Sequence, residues 1–123
     1  MTDSKLLDSS VWLEYLFNGQ FKEIIESDSL LMVSSISLFE IKRKLLKEKI
    51  SLEKVNGGVE FVKERSLVIP LNAEIADKAA EVSLKQNLGA MDALIYTTAV
   101  LSNVTFVTKD NDFRGLKNTT VLS

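Results

Sequence analysis

The 123-residue chain contains neither cysteine nor histidine. Without these residue types it lacks the ligands of the usual tetrahedral zinc sites, and it cannot build a Ser-His-Asp or Cys-His triad or a histidine general base. If the protein is an enzyme, carboxylates must carry its chemistry. Two classes of site stay open: a carboxylate pair that acts on a glycosidic bond, and a group of acids that holds a hard cation such as magnesium or manganese through oxygen.

Long hydrophobic runs and a strong net charge are also missing. No apolar stretch approaches the roughly 20 residues that span a bilayer, and the start MTDSKLLDSS lacks the basic and then apolar regions of a signal peptide. Together with the absence of disulfides, this predicts a cytoplasmic protein that does not contact a membrane. The net charge of −2 gives no general attraction for nucleic acid, so RNA binding would need a local basic patch or a bridging metal.

Short apolar strands alternate with helical segments along the chain. At 123 residues with 46% hydrophobic content, we expect one domain over residues 1–123. Strands are predicted at 5–7, 30–33, 67–69, 104–107 and 119–122. Helices are predicted from Ser9-Ser10 to Phe17, at 20–27, from the N-cap Ser37, from about Leu52 to Arg65, at 73–86, and in the segment AMDALIYTTAVLSN. This order predicts an α/β fold with a mainly parallel sheet of four to five strands and helices on both faces.

Two of these helices carry specific sequence signals. The segment SLFE at 37–40 matches the S-x-x-E capping box, which predicts Ser37 as the N-cap and Glu40 as the residue that reaches back to it. The next helix contains the segment NGG at 56–58. Because glycine weakens a helix, this helix is expected to begin in earnest only at Val59.

Acidic residues gather where parallel-sheet proteins bind ligands, beyond the carboxyl ends of the strands. Asp8 ends the first predicted strand, and Asp110 and Asp112 follow the fourth in a tight turn. Glu40 and Asp92 lie in helical segments within reach of the same edge. Taken singly, each acid has an ordinary explanation as a helix cap, a first-turn acid or a turn residue. Brought together, they would repel one another unless a divalent cation neutralised them, so convergence predicts a metal site.

Four segments of the chain resemble the PIN-domain nucleases, and particularly the small VapC-type toxins of type II toxin–antitoxin systems. They are LLDSSVWLEYL, SSISLFEIKRKL, AMDALIYTTAVLSN and FVTKDNDFRGL, and the last two in tandem are the most specific. The resemblance spans essentially the whole chain. It implies a three-layer α/β/α sandwich with an acidic pocket that binds one or two magnesium or manganese ions and cuts RNA. It also implies an antitoxin partner and a homodimer.

Matching the motifs position by position assigns the functional residues that the resemblance implies. The catalytic and metal-binding acids are Asp8, Glu40, Asp92 and Asp110, with Asp112 as a fifth that shares or replaces the last role. Ser10 and Thr108 fall at hydroxyl positions that would orient a carboxylate or a water molecule. Because the acidic set is complete, the resemblance predicts an active enzyme, in which water activated by a divalent ion attacks the phosphodiester.

Local basic residues must provide the RNA contacts in so acidic a chain. The candidates are a basic run after Glu40 and two cations beside the acidic turn: Lys42, Arg43, Lys44, Lys47, Lys109 and Arg114. A solvated helix face and the helix dipole would favour the same basic run, so this pattern has two interpretations.

Other functions compete with the nuclease interpretation. A catalytically silent module of the same fold, which binds RNA, metal or a protein, fits the same residues. A response-regulator-like receiver would need paired acids after the first strand, where Asp8 is single, and an Asp at the end of the central strand, where the chain has LVIP. A glycosidase is disfavoured because so small a chain offers no evident long sugar-binding groove.

Overall fold

A five-stranded parallel sheet forms the centre of the molecule. The protein's structure, a computed structural model, describes residues 4–123. Across the sheet the order is β3-β2-β1-β4-β5, and all neighbouring strands run parallel. The strands are β1 (Lys5–Leu7), β2 (Leu31–Ser34), β3 (Leu67–Ile69), β4 (Thr105–Thr108) and β5 (Thr119–Val121).

Helices cover both faces of this sheet. They are α1 (Ser9–Asn18), α2 (Lys22–Ile25), α3 (Ser35–Lys47), α4 (Leu52–Arg65), α5 (Ala73–Gln86) and α6 (Ala90–Leu101). Because successive strand residues point to opposite faces, Leu7 and Val107 pack in a core with α1 to α4, whereas Leu6 and Phe106 pack in a second core with α5 and α6. The α/β/α sandwich that the sequence predicts is confirmed. Within residues 4–123, every helix is too short or too polar to span a membrane.

The predicted start of α3 is wrong. Ser34, at the end of β2, is the N-cap, and its Oγ accepts a hydrogen bond from the Ile36 N–H at 3.1 Å. The strand therefore runs into the helix without a loop, and Ser37 lies buried inside the first turn. Two serines three residues apart offer the same local capping chemistry, and the end of β2 decides between them.

The predicted weak start of α4 is also wrong, because this helix is continuous from Leu52 to Arg65. Val55 and Val62 on either side of the glycines are fully buried. A Cβ atom on Gly58 would lie 3.4 Å from Leu45 Cδ1, an ordinary van der Waals contact, so α4 packs against α3 at this position. Burial of the flanking valines offsets the roughly 1 kcal/mol that each glycine costs in a helix interior. The second predicted helix, in contrast, shortens to the four residues of α2.

The chain changes direction across the sheet between β1 and β4. From β1 the chain adds β2 and β3 on one side, and it then returns to add β4 and β5 on the other. Leu7 pairs with Val107, and the Asp8 N–H donates to the Val107 carbonyl at 2.9 Å. The residues that follow these two central strands therefore emerge side by side, at the topological switch point where open parallel sheets bind ligands.

Candidate active site

Asp8 lies where β1 ends and α1 begins, and it is only 5% exposed. Its Oδ1 accepts a hydrogen bond from the Ser9 N–H at 2.8 Å, which caps α1. Its Oδ2 accepts from Ser10 Oγ at 3.0 Å and from Thr108 Oγ1 at 2.7 Å. Burial raises the pKa of the Asp8 carboxyl, and the hydrogen bonds from Thr108, Ser10 and Ser9 partly offset that rise. Both carboxylate oxygens are thus held by fixed donors.

The turn after β4 orients the two hydroxyls that donate to Asp8. Ser10 Oγ accepts from the backbone N–H of Lys109 at 3.1 Å. Thr108 Oγ1 accepts from the backbone N–H of Asp110 at 3.0 Å. Since each hydroxyl oxygen receives a backbone proton, its own proton is directed to the Asp8 carboxylate. The network joins the end of β1, the start of α1 and the turn after β4 into one unit.

Glu40 lies in the second turn of α3 and is held from the start of α1. Ser9 Oγ donates to Glu40 Oε1 at 2.8 Å. The same serine gives its backbone N–H to Asp8, so one residue connects the two carboxylates. Burial raises the pKa of the Glu40 carboxyl, the Ser9 hydrogen bond lowers it, and the Asp8 charge raises it further. The predicted capping partner, Ser37, plays no part in this contact.

Ser9 is the residue of this site that the sequence analysis missed. The motif assignment included Ser10 but not Ser9, which was predicted only as part of the start of the helix. The available signal was a second hydroxyl immediately after an acid at a strand-to-helix junction. Its partner Glu40 is 31 residues away in sequence, so only the packing of α3 against α1 reveals the contact.

Three further carboxylates converge beside this unit. One oxygen each of Asp92, Asp110 and Asp112 lies within 4.8 Å of the other two. Asp92 is in the first turn of α6, while Asp110 caps the short 3-10 helix Asn111–Phe113 and accepts from the Asp112 N–H at 2.9 Å. The donor set is all oxygen, which suits a hard divalent cation.

Asp92 shows the electrostatic consequence of this convergence. Its carboxyl has a pKa raised from 3.8 to about 6, first by burial and then by the negative charges of Asp8, Asp110, Glu40 and Asp112. The other four predicted acids therefore all act on Asp92. A cation placed among them would reverse this mutual repulsion.

The acids surround one open pocket of about 450 Å³. Four of the five predicted acids line it, and Asp112 lies outside the lining, exposed at the rim. Leu13, Phe39 and Met91 form its apolar wall. The lining acids are Asp8, Glu40, Asp92 and Asp110.

The six predicted RNA-binding cations are distributed unevenly around this pocket. Arg43 and Lys44 line the pocket itself, and Lys44 also pairs with Glu48 at 3.2 Å. Lys42 lines a neighbouring groove, and Lys47 is exposed at the end of α3. The basic run thus begins at the pocket and continues away from it.

The two cations beside the acidic turn have partners of their own. Lys109 Nζ lies 3.3 Å from Glu14 Oε2 on α1. The guanidinium of Arg114 donates twice to Asn111 Oδ1, at 3.2 and 2.8 Å. Neither side chain lines the acidic pocket, whereas Arg43 and Lys44 do.

The parallel sandwich and its carboxylate pocket at the switch point define a class of α/β protein with an acidic pocket at the edge of its sheet. The chain belongs to the PIN-domain family, since the family model of the PIN domain matches residues 5–118. A comparison with curated protein sequences finds no significant match.

Solved structures with the same fold include several toxin–antitoxin assemblies. A toxin–antitoxin complex from Klebsiella pneumoniae superposes with a TM-score of 0.79 and 20% identity, over 95% of this chain and 96% of the other. VapBC2 from Rickettsia felis, bound to a DNA fragment from its promoter, gives 0.76 and 21%, over 97% of both chains. Mycobacterium tuberculosis VapC20, a toxin that cleaves the sarcin–ricin loop, gives 0.74 and 14%, over 92% of this chain and 95% of the other.

Proposed function

We propose that the protein is a divalent-metal-dependent endoribonuclease that hydrolyses RNA phosphodiester bonds. The observation that carries this proposal is the convergence of Asp92, Asp110 and Asp112, with one oxygen of each within 4.8 Å of the others. An all-oxygen, all-carboxylate set at a strand edge suits Mg²⁺ or Mn²⁺. Membership of the PIN-domain family supports the same chemistry.

The carboxylates divide into ligands and supports for one or two such ions. Asp92 and Asp110 both belong to the converging group and line the pocket, so they are the principal ligands. Asp112 completes the group from the exposed rim. Asp8 and Glu40 face the same pocket and act as further ligands, directly or through water. When bound, the ion lowers the pKa of a water molecule and stabilises negative charge on the phosphate.

The chain's own groups prepare the pocket for that reaction. Ser10 and Thr108 fix the Asp8 carboxylate, and Ser9 fixes Glu40. The two carboxylates therefore need little rearrangement when substrate binds. We propose that Glu40, whose pKa burial raises, accepts a proton from a water molecule near the phosphodiester. No protein nucleophile is required, which suits a chain without histidine or cysteine.

Arg43 and Lys44 hold the RNA backbone at the pocket. They are the two cations in the pocket lining, and both come from α3, the helix that carries Glu40. Their positive charge counters the repulsion between the acids and the incoming phosphates. Lys42, Lys47, Lys109 and Arg114 extend this attraction along the surface.

The biological role we propose is that of a toxin paired with an antitoxin protein. The solved structures of the same fold from Klebsiella pneumoniae and Rickettsia felis are toxin–antitoxin complexes. A free ribonuclease acting on cytoplasmic RNA would harm its own cell, so a partner that covers the pocket is required. We also propose a homodimer, and Leu84 on α5, which at 88% is the most exposed large apolar side chain of the described residues, is a candidate for its interface.

A nuclease assay on a panel of single-stranded and structured RNAs tests this function. The purified protein is incubated with each RNA in Mg²⁺, in Mn²⁺ and in EDTA, and the products are separated by electrophoresis. We expect cleavage of at least one RNA with either metal and none in EDTA. Binding of RNA without cleavage in all three conditions would instead identify a silent module.

A further inference from the structure

Phe39 is a large apolar side chain that the fold leaves uncovered. It lies on α3, is 58% exposed, and belongs to neither of the two core clusters formed by the described residues. It contributes to the wall of the acidic pocket and also to the wall of a neighbouring groove. Phe39 therefore stands at the boundary between the proposed reaction site and the next stretch of surface.

The neighbouring groove lies between α3 and α4 and has a volume of about 480 Å³. Its floor is apolar and its remaining lining is basic, with no acidic residue among them. Arg43 lines the groove and the acidic pocket alike, so the two depressions are adjacent. The apolar members are Leu38, Phe39, Leu46 and Val59, and the basic members are Lys42, Arg43 and Lys63.

Helix geometry places three different chemical groups together at this boundary. Glu40 follows Phe39 directly and turns into the acidic pocket. Arg43 lies four residues after Phe39, which puts both on one side of α3 with their Cβ atoms about 5 to 6 Å apart. A carboxylate for the reaction, an aromatic face and a guanidinium thus lie within one turn of helix.

We propose that Phe39 is a stacking platform for a nucleobase of single-stranded RNA, next to the phosphodiester held at the acidic pocket. Arg43 takes the phosphate that joins this nucleotide to its neighbour, and Lys42 and Lys63 follow the backbone along the groove. Every base presents a π face, so this subsite strengthens RNA binding without demanding one sequence. The inference rests on the proposed ribonuclease function, because it assigns the groove to the same substrate.

RNA fits the groove better than a purely apolar partner does. The groove combines an exposed aromatic ring with three cations, and single-stranded nucleic acid needs both stacking faces and positive charge. The groove also adjoins the acidic pocket, where the scissile phosphate would lie, because Phe39 and Arg43 line both. A protein segment bound here would be the rival occupant, and the experiment separates the two.

Binding of two matched probes tests the platform. One is a short fluorescent oligoadenylate and the other is a ribose-phosphate chain of equal length without bases, each measured by anisotropy with Ca²⁺ present. We expect Phe39→Ala to weaken oligoadenylate binding about tenfold and to leave the baseless chain unchanged. Phe39→Trp should retain wild-type affinity because it keeps a stacking face.

Controls make each outcome decisive. Phe17→Ala removes an exposed phenylalanine on α1, away from the acidic pocket, and should change neither affinity. If Phe39→Ala binds oligoadenylate like wild type, or if Phe39→Leu retains full affinity, the stacking platform is wrong, and the first result would favour a protein contact. Cleavage of RNA by the wild type in Mg²⁺ is scored separately, so loss of the proposed function and loss of the platform give different results.

Discussion

Asp8 and Asp92 line the same pocket, but their carboxylates have opposite surroundings. Asp8 is almost completely buried, yet both of its oxygens accept hydrogen bonds, which come from Ser9, Ser10 and Thr108. Asp92 is less buried, but within residues 4–123 its carboxylate accepts no hydrogen bond, and its pKa rises to about 6. The first carboxylate is satisfied by protein donors, whereas the second is left facing like charges.

This difference indicates that the two acids have different roles in the pocket. The donors to Asp8 belong to the start of α1 and the end of β4, and the turn after β4 orients two of them, so Asp8 is part of the scaffold that orients the site. Asp92 gains its natural counter-charge only when a cation is present. Substitutions at the two positions should therefore separate structural support from cation binding.

The largest expected effect is the loss of cleavage in Asp92→Asn. Removing a carboxylate from the converging group should lower Mg²⁺-dependent RNA cleavage by more than about a hundredfold, beyond what removal of an outer partner of a metal ligand usually costs. Single-turnover cleavage rates measure it. The matched control is Asp77→Asn, an exposed acid on α5, which should cut at the wild-type rate. An Asp92→Asn protein that cuts as fast as wild type would contradict the assignment.

The second prediction is that asparagine has opposite effects on stability at the two positions. In Asp8→Asn, the new side-chain NH₂ group faces a donor that the network directs at this position, so a hydrogen bond is lost. The substitution should therefore lower the free energy of unfolding by about 1 to 3 kcal/mol. Asp92→Asn relieves repulsion and should raise it by about 1 kcal/mol at pH 7.5, after discounting for solvent screening.

Urea unfolding of the three proteins in EDTA measures both changes. If the two substitutions shift the free energy of unfolding in the same direction, the proposed contrast between Asp8 and Asp92 is wrong. Asp92→Asn is also the cleaner probe of catalysis, because it leaves the hydroxyl network around Asp8 intact and Asp8→Asn does not.

A smaller effect is expected from removing the hydroxyl that holds Glu40. Ser9→Ala should raise the Mg²⁺ concentration for half-maximal cleavage about tenfold, the lower end of the range for partners of metal ligands. Ser9→Thr keeps an Oγ atom that can donate to Glu40 and should stay within about twofold of wild type. A magnesium titration of cleavage distinguishes them, and equal midpoints for Ser9→Ala and wild type would show that Glu40 needs no such support.

The smallest effect concerns pH. The Asp92 pKa is raised from 3.8 to about 6, so the charged form is the costly one in the folded state. Metal-free wild type should therefore gain stability relative to Asp92→Asn as the pH falls from 7.5 to 5.5, by about 0.5 kcal/mol after screening. Urea unfolding in EDTA at both pH values measures the difference in free energy of unfolding between wild type and Asp92→Asn. If the advantage of Asp92→Asn grew at pH 5.5, the prediction would be contradicted.

Much of the fold could be predicted because the hydrophobic pattern is clear. The bounds of β1, β3 and α5 agree with the prediction, and the five predicted acids do come near one another, because β1 and β4 end at one edge and α3 and α6 begin near it. The start of α3 could not be predicted, since Ser34 and Ser37 are equivalent local caps.

Contacts between segments that are distant in the chain also could not be predicted from the sequence. The Ser9 to Glu40 hydrogen bond depends on how α3 packs against α1, and the pairing of Lys109 with Glu14 depends on the path of the turn after β4. The choice between Asp110 and Asp112 as the last ligand was left open by the motif. The converging group includes both, with Asp110 also lining the pocket.

Binding of Mn²⁺ followed by electron paramagnetic resonance tests the central claim most directly, because it needs neither substrate nor partner. The claim is that these acids form one divalent-cation pocket. Wild type and Asp77→Asn should bind Mn²⁺ with equal affinity, Mg²⁺ should compete, and Asp92→Asn should lose most of that affinity. Equal Mn²⁺ binding by wild type and Asp92→Asn, or none by wild type, would contradict the account.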